Sequence, residues 1–137
     1  EALAFAIARV EADEIDRIGI QAANLGAMAR AVAQLDPPAD FLLVDGFALQ
    51  GVPQPARKVV KGDSRSLSIA AASIVAKVTR DRILNALHKK YPGYGFCHHK
   101  GYATAEHLAA IERHGPCPAH RKSFAPIARA VETESLF

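Results

Sequence analysis

Apolar positions along the chain fall into short dense runs separated by glycine, proline and acidic residues, and their spacing changes from run to run. Ala2 to Val10 (ALAFAIARV) is short, apolar and free of breakers, which predicts a buried strand. Asp13 to Ile18 reads as a brief helical turn opened by an acidic cap. Gln21 to Leu35 carries Ala, Leu and Met at helical spacing, and Asp36-Pro37-Pro38 ends that helix. Asp40 to Asp45 (DFLLVD) predicts a compact strand closed by Asp45-Gly46. Phe47 to Pro55 follows as a loop, and Lys58 to Lys61 as another short strand.

Ser64 to about Lys90 is the longest regular stretch. Ile69, Ala72, Ala76, Thr79, Ile83 and Leu87 recur at three- and four-residue spacing, which puts them on one face of a helix. Ser73, Lys77 and Arg80 make a polar stripe roughly a quarter-turn away. Tyr91 to Gly101 is punctuated by Gly and Pro and reads as a loop. Thr104 to His114 predicts a helix with Thr104 as N-cap, and Gly115 to Pro118 breaks it. Ser123 to Glu134 predicts a final helix or tail.

Strands alternating with helices imply an α/β layer fold. A sheet of two or three strands beside so much apolar helix leaves apolar surface uncovered, so the expectation is part of a domain. No internal repeat and no inter-domain linker interrupts the pattern.

Length and composition narrow this picture. The chain has 137 residues, of which 50% are hydrophobic, enough for one real core and inconsistent with disorder. Its apolar runs are too short to span a bilayer, and it opens without the charged-then-apolar leader of a secreted protein. Two cysteines, Cys97 and Cys117, are too few for a disulfide framework and fit a reducing compartment. A soluble cytoplasmic protein, with no membrane partner, is expected. The net charge of +3 conceals an asymmetry: residues 1 to 56 hold three Lys/Arg against eight Asp/Glu, and residues 57 to 137 hold fourteen against six. A basic half suits a polyanion, because phosphate neutralisation supplies most non-specific nucleic-acid affinity.

Several residues could carry chemistry, and each admits a plainer reading. Asp45 ends an apolar strand, where open α/β sheets place ligands; Asp-Gly is also an ordinary turn. Asp63, in Lys61-Gly62-Asp63-Ser64, is either a ligand or the N-cap of the long helix. Two-metal phosphodiester hydrolysis needs carboxylates gathered around cations roughly 4 Å apart, so the pair matters only if it converges. The Ser73, Lys77, Arg80 stripe is either a phosphate grip or a solvated face. Tyr91 to Phe96 and His98 to Tyr102 interleave aromatics, glycines and basic residues, a mix that stacks on sugars or bases or simply packs as a surface loop. Cys97, His98, His99, Cys117 and His120 raise zinc, but structural zinc sites pair two well-spaced ligand doublets and only Cys117 and His120 have usable spacing.

Taken together, DFLLVDG (Asp40 to Gly46), KVVKGDSRSLSIAAASIVAKVTRDR (Lys58 to Arg82), YPGYGFCHHKGYAT (Tyr91 to Thr104) and HGPCPAHRKSFAP (His114 to Pro126) resemble ribonuclease HII, the type 2 ribonuclease H family. Glu14 to Val32 resembles the family's helical segment more loosely, so the resemblance spans essentially the whole chain. It implies a partial RNase H-like α/β fold, a mixed sheet flanked by helices, with a helical C-terminal part. Residues 1–137 would form one partial domain, about 1–90 the core portion and about 91–137 the substrate-binding loop and helices.

The family site is four carboxylates binding Mn²⁺ or Mg²⁺. By motif, Asp45 resembles the third and Asp63 the fourth, and both are expected as catalytic, metal-binding residues. The metals would generate the attacking hydroxide and stabilise the leaving 3′-oxygen, giving 5′-phosphate and 3′-hydroxyl ends. Tyr102 resembles the tyrosine that packs on the deoxyribose beside the ribonucleotide, and Lys77 and Ser73 match positions near the substrate backbone. The implied partners are RNA–DNA hybrids and ribonucleotide-containing duplex DNA, and the implied role is ribonucleotide removal by a protein that is monomeric when complete. The family's first two carboxylates sit in a DEAGRG-like motif on the first strand, and none occurs here: Asp13-Glu14 is followed by Ile-Asp-Arg. The chain is therefore expected to begin near the third strand and to be inactive alone, with a non-catalytic nucleic-acid-binding fragment or paralogue as the alternative. Phe47 after Asp45-Gly46 also departs from the polar residue usual in the family.

Overall fold

The computed structural model describes residues 2–128. They divide into two compact units, one from residues 2–10 and 18–77, the other from 11–17 and 78–128. Helix α3 (Leu67–Lys90) contributes to both, and the division falls after Lys77.

The first unit is built on β1 (Leu42–Asp45) and β2 (Ala56–Val59), which pair in parallel with Leu42 opposite Ala56 and Asp45 opposite Val59. The ten residues joining them carry no helix. Successive strand residues face opposite sides, so Leu42 and Val44 are buried while Leu43 between them is exposed. The buried pair and Leu49 pack against Leu25, Met28, Ala29 and Val32 of helix α2 (Ile20–Ala33), whose three- and four-residue spacing aligns them on one stripe. Each such fully buried aliphatic side chain is worth about 1.5–3 kcal/mol.

The strand expected over Ala2 to Val10 does not form. Residues 2–10 adopt no regular structure, with Leu3 92% and Phe5 73% exposed. A strand is completed by a neighbour's N–H and C=O groups, and among the described residues β1 and β2 pair only with each other. The long helix also starts later than expected, at Leu67. Gly62–Ser64 forms a separate 3₁₀ turn, and the residue before α3, Ser66, accepts the Ile69 amide at 3.5 Å. Along the predicted apolar face of α3, Ile69 is buried and Thr79, Ile83 and Leu87 are half-buried, but Ala72 and Ala76 are exposed.

In the second unit Tyr94, Phe96 and Cys117 form the core, joined by Leu84, Leu87, Tyr91, Ala110 and Ala119. Residues 91–101 are more ordered than a loop: Pro92–Tyr94 is a 3₁₀ turn and α4 (Phe96–His99) a single helical turn. Proline at the first helical position presets the backbone, and burial of Tyr94, whose hydroxyl donates to the Gly115 carbonyl at 2.7 Å, fixes the rest. Helix α5 (Ala105–His114) has the expected N-cap, the Thr104 hydroxyl accepting the His107 amide at 3.3 Å. Residues 12–17 of helix α1 (Ala12–Ile18) belong to this unit, and the Asp16 carboxylate accepts the amides of Lys122 and Ser123 at 2.7 and 2.8 Å. Those bonds, the Ser123 hydroxyl foremost, hold the Asp16 carboxyl below its usual range. Helical turns resume at 125–128, and residues 129–134 of the expected final helix lie outside the described residues.

Candidate functional site

Asp45 closes β1, and Gly46, at φ 71°, turns the chain away immediately after it. The half-buried Asp45 carboxylate accepts the Gly62 amide at 2.7 Å, across 17 residues of sequence. Parallel pairing prepares this contact: Val59 stands opposite Asp45 and its carbonyl accepts the Gly46 amide at 3.0 Å, so the chain leaving β2 passes the end of β1. Lys61 takes a left-handed conformation (φ 52°), uncommon for a residue with a side chain, as the backbone bends into the 3₁₀ turn. Asp63 is the middle residue of that turn. It is exposed, and its carboxylate accepts the Ser64 amide at 2.9 Å. It does not cap α3; Ser66 occupies that position. Gly62 is tightly enclosed, because a Cβ there would lie 2.5 Å from the Ile69 Cδ1 and 3.2 Å from the Asp45 Oδ1.

Ser73 and Lys77 are exposed one turn apart on α3. The structure thus joins the Asp45 carboxylate to the Asp63 turn and sets Ser73 and Lys77 on the surface of the helix that follows. Oxygen donors of this kind suit Mg²⁺ or Mn²⁺. Among the described residues, however, no group of three or more His, Cys, Asp or Glu side chains could hold a metal ion. The donor type fits and the donor number does not, so these residues alone do not make the cation site.

Tyr102 lies in the second unit, where hydrogen bonds hold its backbone and its ring is largely exposed. The Tyr102 carbonyl accepts the Thr104 amide at 2.8 Å and His107 Nδ1–H at 2.9 Å, and its amide donates to the His99 carbonyl at 3.0 Å. The side chain is 64% exposed, with the Arg80 guanidinium 4.8 Å from its ring centroid. Arg80 also donates to the Lys100 carbonyl at 2.7 Å, pinning the left-handed Lys100-Gly101 turn that precedes Tyr102.

The residues that raised zinc do not gather. The His98 Nδ1 lies 2.8 Å from Glu106, and this partner holds the Glu106 carboxyl below its usual range. His99 bonds to backbone at both ring nitrogens, the Tyr94 carbonyl at 2.7 Å and the Gly101 amide at 3.1 Å. The His120 Nδ1 accepts the Cys117 amide at 3.0 Å, while burial pushes the Cys117 thiol up. The sequence reading did not single out His107, which is 2% exposed, stacks on His99 at 4.1 Å and meets His120 at 3.0 Å. The sequence offered only five histidines within residues 98–120, with no sign of the backbone groups they meet.

The ribonuclease HII family profile matches residues 1–127. A ribonuclease HII of Acidovorax sp. (strain JS42) is 54% identical over 132 residues, 96% of this chain and 63% of that protein. One of Acidothermus cellulolyticus is 50% identical over 129 residues, 94% of this chain and 42% of that protein. The chain belongs to the ribonuclease HII family. It spans 42% to 63% of the length of these two relatives. The crystal structure of the ribonuclease H2 from Pyrococcus horikoshii OT3 superposes with a TM-score of 0.74 at 22% identity, over 90% of this chain and 66% of that one. The fold is thus a partial RNase H-like α/β fold. Among the described residues no helix is long and apolar enough to cross a membrane.

Proposed function

We propose that the protein is an endoribonuclease that hydrolyses RNA in RNA–DNA hybrids and cuts at single ribonucleotides embedded in duplex DNA, serving ribonucleotide excision in the cytoplasm as a monomer. Family membership supports the reaction class. The observation that carries the site is the 2.7 Å bond from the Gly62 amide to the Asp45 carboxylate, which draws the VDG strand end and the KGDS turn together. Asp45 and Asp63 act as two of the four carboxylates expected to bind Mn²⁺ or Mg²⁺, the others lying outside the described residues. Ser73 and Lys77 contact the phosphate backbone from α3, and Tyr102 packs its exposed ring on the deoxyribose beside the ribonucleotide. The 137-residue chain alone binds such duplexes and does not cut them.

The competing reading is a nucleic-acid-binding module that never cuts, favoured by the lack of a third metal-ligating side chain among the described residues. The two separate in a form of the protein carrying an Asp-Glu-Ala-Gly-Arg-Gly segment ahead of residue 1. That form is expected to nick a duplex containing one ribonucleotide in Mn²⁺ or Mg²⁺, leaving 5′-phosphate and 3′-hydroxyl ends. Tight binding without nicking would establish the module.

A further inference from the structure

Three histidines of the second unit, His99, His107 and His120, have hydrogen-bond partners that fix their ring protons. A backbone amide can only donate, so the Cys117 N–H makes the His120 Nδ1 an acceptor and leaves its proton on Nε2. That Nε2–H points at the His107 Nε2, 3.0 Å away, which must therefore accept. The His107 proton is left on Nδ1, where the Tyr102 carbonyl accepts it at 2.9 Å. The direction of each bond follows from the one before, and the chain ends on Tyr102. His99 obeys the same logic beside it: the Gly101 amide donates to its Nδ1, and its Nε2–H donates to the Tyr94 carbonyl. The network closes only with all three rings neutral. A proton added to the His107 Nε2 would face the His120 Nε2–H, donor against donor, and would sit over the His99 ring stacked at 4.1 Å. Phe96 and Phe124 cover the remaining neighbourhood of His107, with ring centroids at 5.7 and 6.3 Å.

We infer that His107, oriented by His120, is a positioning residue that sets the backbone of Tyr102 and so aims its exposed ring at the substrate, an inference resting on Tyr102 as a substrate contact. The apolar surroundings add what a surface histidine lacks, since a buried imidazole with one permitted tautomer cannot swing or exchange its partner for water. Arg80 bears on the ring face and His107 on the carbonyl, so Tyr102 is held from side chain and backbone independently. The His99 bond to Gly101 fixes the preceding residue in the same way.

The test uses the 137-residue chain with ¹⁵N-labelled imidazoles and a fluorescent duplex containing one ribonucleotide. Nitrogen chemical shifts should show His99 and His120 as Nε2–H tautomers and His107 as the Nδ1–H tautomer. His107→Leu should speed amide exchange over residues 100–104 and weaken duplex binding about threefold to tenfold, the scale of one lost hydrogen bond. His107→Asn, whose amide can donate where Nδ1–H stood, should restore most of the binding. An Nε2–H tautomer at His107, or equal loss in the Leu and Asn variants, would overturn the inference. The tautomer measurement decides even where His107→Leu fails to fold. Predicted tautomers and exchange alongside a Tyr102→Ala chain that binds normally would leave the relay standing and remove Tyr102 as a substrate contact.

Discussion

The Asp45 carboxylate accepts the Gly62 amide at 2.7 Å, and Gly62 has no room for a side chain on that side. These facts describe one object. Asp45 stands at the end of a strand anchored by Leu42 and Val44 in the first unit's core, and the amide reaches it from the turn that carries Asp63. A carboxylate so held keeps one orientation.

Gly62→Ala should therefore be costly although Gly62 needs no left-handed backbone. The added methyl would press on Ile69, itself 5% exposed, and on the Asp45 carboxylate. Overpacking of this kind costs about 1–3 kcal/mol, to be read as a lower denaturation midpoint. An unchanged midpoint would mean that the turn has slack.

Tyr102 gives a prediction about recognition. If its ring acts by surface contact, Tyr102→Phe should keep most cleavage of an embedded ribonucleotide by the form carrying an Asp-Glu-Ala-Gly-Arg-Gly segment ahead of residue 1, and Tyr102→Ala should lose about five- to a hundredfold. The loss should be smaller on a long hybrid, where many equivalent sites compete. Equal damage from both substitutions would implicate the hydroxyl.

Acid should weaken the second unit through its buried imidazoles. Burial first, then mutual repulsion with neighbouring imidazoles, pushes His107 and His120 below the usual 6.5. The unfolded chain takes these protons near 6.5 and the folded chain only at lower pH. The unfolded state thus binds more protons in that window, and stability that is complete above it is lost as pH falls through the folded values. The lowered carboxylates Asp16 and Glu106 act the same way but only below about 4.5, so unfolding at about pH 5.5 against 7.5 isolates the histidines. Stability that is flat or higher at the acid point would contradict the relay.

Removing the α5 cap is a simpler check. Thr104→Ala should cost about 1 kcal/mol of stability, since its hydroxyl accepts an amide of the first helical turn. Full stability would show that Tyr102 and His107 hold the helix start without it.

What the sequence disclosed and what it hid divide along a physical line. The α2 stripe and the Thr104 cap were legible because each depends on neighbours a few residues away. The strand expected at Ala2 to Val10 failed because strand formation is decided by a partner, and apolar composition says nothing about one. Likewise the Asp45 bond to Gly62 spans 17 residues and the Asp16 bonds to Lys122 and Ser123 more than a hundred. The histidine relay was invisible for a further reason. Its acceptors and donors are mostly backbone groups, which carry no sequence signature, so the residue types alone raised only a zinc site that their spacing disfavoured.

The most direct test of the nuclease reading is cleavage by Asp45→Asn in the form carrying the upstream Asp-Glu segment, with folding measured on the same sample. Asparagine keeps an oxygen to accept the Gly62 amide and removes only the charge, so the denaturation midpoint and duplex binding should stay where they are. Cleavage at a single ribonucleotide in Mn²⁺ or Mg²⁺ should disappear. Cleavage at the unmodified rate would show that Asp45 only closes its strand, and the assignment of this end of the sheet as the active site would fall.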